Sequence, residues 1–182
     1  MKYQHCSTFA SGVIAAMMSQ PIPAIDFLAL EGGTGEESAE RIGAAAGWRW
    51  GREWSLPGGL DLSGRWELSL SYWDADEGRT GNDTLVEGGF APVFYIHSEA
   101  KPWGITPFIE GAVGIHLMSE TELGDKDFDI LFAFGSHAGV GFRFGPQHQI
   151  EVGYRFQHLS NADLGDPNPG INFHLVRLLY YF

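Results

Sequence analysis

His158 and Ser160 stand two residues apart at the end of an alternating stripe, QIEVGYRFQHLSN, that spans Gln149 to Asn161. Side chains alternate faces along a strand, so Ile150, Val152, Tyr154 and Phe156 share one face with the histidine and the serine. An imidazole and a hydroxyl that end an apolar file are a candidate base and nucleophile at the edge of a greasy surface. Asn172 and His174 hold the same parity in the last segment, where Val176 and Leu178 continue their file. A hairpin across the Asn161–Pro169 connection brings Asn172 close to His158. A serine esterase site can then be written, with Ser160 as nucleophile, His158 as general base and Asn172 as orienting group. The loop after Ser160 would supply backbone N–H groups to an oxyanion.

The blander reading is that polar residues simply mark the rim where an apolar band ends, and spacing alone does not separate the two. Other polar residues offer less. His116, His137 and His148 fit lumen or turn positions, and Ser136 is mid-strand with no histidine on its own face. Glu110 and Glu151 read as ion-paired carboxylates rather than a glycosidase pair. The chain contains no G-x-S-x-G elbow, P-loop, H-E-x-x-H or dinucleotide fingerprint.

The elements that must position the site are strands. From Ile25 onward, alternation recurs in about eight segments, with approximate limits 25–33, 40–54, 60–74, 84–97, 104–118, 130–145, 148–160 and 170–182. The third sets Trp66, Leu68, Leu70 and Tyr72 against Arg65, Glu67, Ser69 and Ser71. The fifth sets Ile109, Val113, Ile115 and Leu117 against Glu110, Gly114 and His116. The polar face as a whole collects Glu31, Arg41, Arg49, Arg65, Glu67, Glu87, Glu110, Arg143, Glu151, Arg155 and Arg177. Charges of both signs mixed with glycine suit a narrow, ion-paired lumen. A soluble β-sandwich would turn the same pattern inside out. The aromatics Trp48, Trp50, Trp54, Trp66, Tyr72 and Trp73 favour the membrane barrel, because they read as interfacial girdles.

Composition agrees. The 182 residues allow one domain, and 44% hydrophobic content with a mean hydropathy of −0.10 is too polar for a helical membrane protein. A net charge of −12 argues against a nucleic-acid partner. The N-terminus, with Lys2 and His5 ahead of an apolar stretch from Phe9 to Met18 and a small-residue site at Ala24, reads as an export signal over residues 1–24. Its removal would take away Cys6, the single cysteine. Short turns near Pro57-Gly58, Lys101-Pro102 and Gly145-Pro146 alternate with longer polar connections, as in outer-membrane barrels. The expected architecture is an all-β, eight-stranded antiparallel transmembrane β-barrel of the bacterial outer membrane over residues 25–182. Its seventh strand would carry His158 and Ser160 to the extracellular rim.

The C-terminal segment FQHLSNADLGDPNPGINFHLVRLLYYF resembles the signature region of the PagL family of outer-membrane lipid A 3-O-deacylases, chiefly through H-x-S-N-A and P-N-x-G-I. That resemblance implies hydrolysis of the 3-O-linked acyl chain of lipid A by a serine–histidine–acid mechanism without metal or cofactor. It places the nucleophile on Ser160 and the base on His158, with Asn161, Ala162 and Asp163 lining the oxyanion site. The family pattern implies a glutamate at the third position, where this chain has Asn172, and a glycine where it has Asp163. The expected partners are lipopolysaccharide and outer-membrane lipid, with a homodimer as the one protein assembly entertained. A non-catalytic structural or adhesive barrel and a phospholipase-like esterase are the competing functions.

Overall fold

A computed structural model of the chain describes residues 24–76, 78–98 and 104–182. The expected export signal (apart from Ala24) and the turn at Lys101-Pro102 lie outside the described residues. Strand periodicity organises everything else. The elements are β1 (Phe27–Gly35), β2 (Glu40–Arg49), β3 (Trp54–Leu56), β4 (Leu60–Asp74), β5 (Thr84–Ser98), β6 (Thr106–Met118), β7 (Glu122–Leu123), β8 (Lys126–Asp127), β9 (Phe132–Phe144), β10 (Ile150–Ser160) and β11 (Ile171–Tyr181).

The eight long strands close a barrel. Each pairs antiparallel with its sequence neighbour, and β11 returns to β1 from Tyr181 beside Phe27 to Phe173 beside Gly35. Among the described residues, closure pairs each of the eight long strands on both sides, the requirement for strands in hydrocarbon. The apolar parity faces outward on every long strand. Leu30, Ile42, Leu70, Val113, Leu117, Phe142 and Val176 are all exposed, whereas a soluble sandwich would bury them. The alternation expected for β4, β6, β10 and β11 holds residue by residue.

The interior has layers. Its middle is a lattice of buried charge in which Arg65 meets Glu67, Glu110 and Glu151 at 3.0–3.2 Å, and Arg177 meets Glu67 at 2.7 Å. Arg155 meets Glu110 at 2.8 Å, and Arg41 bridges Glu31 and Glu87. Excellent pairing is what makes so much buried charge tolerable. Above the lattice, toward the long connections, lies an apolar plug that includes Trp73, Met118, Leu123, Phe128, Leu159, Ile171, Phe173 and Leu175.

Two expectations need correction. Trp73 is not a girdle residue, since it is fully buried in the plug, on the same β4 parity as Arg65 and Glu67. The second strand ends at Arg49 rather than residue 54, and the chain turns at Trp50–Glu53 before β3 hairpins onto β4. Trp50 and Trp66 do join an aromatic cluster with Phe90 and Phe94, ring centroids 4.9–5.6 Å apart.

Candidate active site

The site begins with a strand pair. β10 and β11 run antiparallel with His158 directly opposite Asn172, both on the outward face. Leu159 and Ile171 point the other way into the plug, 1% and 0% exposed, so packing inside pins the two polar residues outside. His158 Nδ1 and Asn172 Oδ1 are 2.8 Å apart. The other end of the amide, Asn172 Nδ2, donates to Glu36 Oε1 at 2.6 Å.

Glu36 arrives from the far end of the sequence because β1 closes on β11. Its backbone N–H donates to the Asn172 carbonyl at 3.2 Å, extending the ladder by one rung. Lys126 Nζ, from the β7–β8 hairpin, donates to Glu36 Oε2 at 2.9 Å and to the Gly170 carbonyl at 2.8 Å. Its hydrogen bond, with that of Asn172, holds the Glu36 carboxyl below the usual glutamate range against a small opposing effect of burial. Gly170 closes over the imidazole, with a φ of +59° that suits glycine. A Cβ there would stand 2.9 Å from His158 Cε1.

Ser160 shares the outward face of β10 two residues beyond His158, about 6.6 Å along the strand. Their side chains can meet across that distance, but among the described residues no hydrogen bond joins them in this conformation. Such bonds are commonly long before substrate binds. Ser160 is half-buried in a narrow crevice with Phe128, Phe132, Leu159 and Asn161.

The connection after Ser160 is built around Asn161. Its buried amide donates to the carbonyls of Phe128, Gly165 and Pro167 at 3.0–3.3 Å, and its Oδ1 accepts from Asp163 N–H at 3.0 Å. Its own N–H donates to Asn168 Oδ1 at 2.9 Å, and Asn168 Nδ2 donates to Asp163 Oδ1 at 3.0 Å. The Asn161 side chain therefore shapes the loop rather than projecting from it. Ala162 and Asp163 both have positive φ, 54° and 61°, a conformation that glycine takes at no steric cost. The Asp163 N–H is spent on Asn161, whereas the Ala162 N–H has no partner among the described residues.

Known proteins share this arrangement of chain and barrel. The family model described as lipid A 3-O-deacylase (PagL) matches residues 40–181. The lipid A deacylase PagL of Pseudomonas aeruginosa is 32% identical over 87% of this chain and 89% of its own length. The lipid A deacylase PagL of Bordetella bronchiseptica is 35% identical over 75% of this chain and 66% of its own. The chain belongs to the PagL lipid A 3-O-deacylase family. The crystal structure of the outer membrane enzyme PagL superimposes with a TM-score of 0.76 at 27% identity, covering 86% of this chain and 99% of that one. The eight-stranded outer-membrane barrel is thus the PagL barrel.

Within that PagL framework, the structure brings together three groups that the sequence pattern selected and two that it did not. His158 and Asn172 are in contact, and Ser160 lies on their face. Glu36 and Lys126 were missed, because one sits in an acidic connection and the other in a hairpin of two-residue strands. Ser136, set aside for lack of a histidine on its own face, pairs directly across from His158 on β9. Only strand register could have revealed that neighbour.

Proposed function

We propose that this protein removes the 3-O-linked acyl chain of lipid A with Ser160 as nucleophile and His158 as general base. The observation that carries the reading is the outward His158–Asn172 contact, on the same face of β10 as Ser160 and two residues from it. The acyl chain lies against the outer file of Tyr154, Phe156 and Val176, and its ester reaches the rim. Nothing has to enter the charged lumen.

The chemistry follows the serine-esterase sequence. His158 Nε2 takes the Ser160 hydroxyl proton as Oγ attacks the ester carbonyl carbon. The tetrahedral oxyanion is met by the Ala162 N–H, the donor nearest the nucleophile in sequence that has no partner among the described residues. His158 then returns the proton to the departing sugar oxygen, leaving an acyl-serine. Water, deprotonated by the same imidazole, resolves the acyl-serine and releases the fatty acid.

A phosphonate ester that labels activated serines tests the assignment. Peptide mapping should find the adduct on Ser160, and the H158A variant should not react. An adduct on Ser136, or equal labelling of H158A, would contradict the assignment.

A further inference from the structure

An asparagine in the third position of a serine triad has two defects. Its amide can turn either way, and it carries no charge. If the NH2 end faces the imidazole, it stabilises the tautomer with the proton on Nε2, which cannot receive a serine proton. That failure accounts for much of the roughly ten-thousand-fold loss when a triad aspartate is replaced by asparagine.

The contacts around Asn172 remove the first defect and reduce the second. A carboxylate only accepts hydrogen bonds, so the amide end that lies 2.6 Å from Glu36 Oε1 must be the NH2. The amide oxygen is then turned to His158 Nδ1 at 2.8 Å, and it too only accepts. Nδ1 therefore carries the ring proton, and Nε2 keeps its lone pair. Lys126 fixes the other carboxylate oxygen of Glu36 and, through the Gly170 carbonyl, the segment that closes over the imidazole.

We infer that Glu36 is the acidic member of this site, a positioning residue that acts through Asn172 to set the tautomer of His158. The inference rests on the reading of His158 as the base for Ser160. The triad is in effect lengthened by one amide, with the negative charge supplied from the β1–β2 connection instead of β11. Glu36 touches no substrate. Its effect belongs in kcat rather than KM.

The test is a double-mutant cycle on the purified barrel, refolded in detergent and assayed for kcat and KM on lipid A micelles. S160A serves as the zero, and heat-modifiable gel mobility reports folding. E36Q should lower kcat by at least about tenfold with little change in KM, because a glutamine can donate to the Asn172 oxygen and reverse the amide. N172E in the native background should be impaired, since it sets two carboxylates against each other beside one lysine. The double variant E36Q/N172E should exceed both single variants, with one carboxylate now directly on Nδ1. Removal of a merely structural contact would not be repaired by a second change at Asn172.

Wild-type kcat in E36Q would overturn the inference. So would a loss in folded E36Q that N172E does not repair. Should E36Q alone fail to reach the folded band, the ranking of the double variant above N172E decides in the same sense. Activity retained in S160A would instead sink the underlying reading of the site.

Discussion

Gly170→Ala adds one methyl group at the most sensitive point of the site. The new Cβ would stand 2.9 Å from His158 Cε1 and 3.5 Å from Nε2, with the Leu159 carbonyl 3.2 Å away on the backbone side. Carbon atoms in optimal contact sit about 3.5–4.0 Å apart, so the imidazole must retreat by roughly 0.5–1 Å. The methyl cannot yield, because the Leu159 carbonyl is held between the strands. A misplacement of about 1 Å can cost about a hundredfold in rate, so kcat should fall by roughly ten- to hundredfold with KM little changed. The positive φ adds a folding cost of about 1–2 kcal/mol that has nothing to do with catalysis. Gly58→Ala separates the two effects. Gly58 also has a positive φ, 86°, but nothing lies within 4 Å of its Cβ position, and it sits at the opposite end of the barrel. Both variants should lose thermal resistance by heat-modifiable gel mobility, but only G170A should lose kcat on lipid A. Wild-type turnover in folded G170A, or an equal loss in G58A, would refute the link between the closing loop and the imidazole.

Ser136→Ala should keep near-native deacylation, because Ser136 faces His158 from β9, two rungs further than Ser160 from the loop that supplies the Ala162 N–H; loss of turnover in a folded S136A barrel would make it a rival nucleophile. Arg65→Met strips Glu67, Glu110 and Glu151 of a shared partner, and removing one side of such a buried pair costs about 3–5 kcal/mol. The barrel should therefore unfold at lower temperature, while the folded fraction keeps its kcat, since substrate never enters the lumen. The Glu36 carboxyl lies below its ordinary value, so its contribution is present above about pH 4.3 and is lost only as pH falls through the lowered value. The ratio of wild-type to E36Q rates should then stay flat from about pH 8 to about pH 5, and a decline within that window would contradict the Lys126–Glu36 pairing.

The barrel was legible because its strands alternate cleanly. On β4, Trp66, Leu68, Leu70 and Tyr72 take one side and Arg65, Glu67 and Ser71 the other, and that parity alone places each of them. Trp73 was misplaced when its aromatic character and its position near a strand end were weighted over its parity. The β7–β8 hairpin escaped notice because two-residue strands carry no period. The His158–Asn172 contact could be read from two short segments joined by one hairpin. Glu36 could not, since it meets Asn172 only through closure of the first strand on the last. That register depends on the stagger of the whole barrel and not on any local pattern. Ser136 was hidden for a different reason: its partner lies across the short β9–β10 turn, and only its own face was weighed.

Mass spectrometry of lipid A from cells that express the native chain or Ser160→Ala, with both barrels shown to be folded in the outer membrane, asks the question most directly. Loss of a single 3-O-linked acyl chain in cells with the native protein, and unchanged lipid A with S160A, is the expected result. Equal deacylation by the two proteins would show that Ser160 is not the nucleophile. Unchanged lipid A in both would contradict an active site built on Asn172.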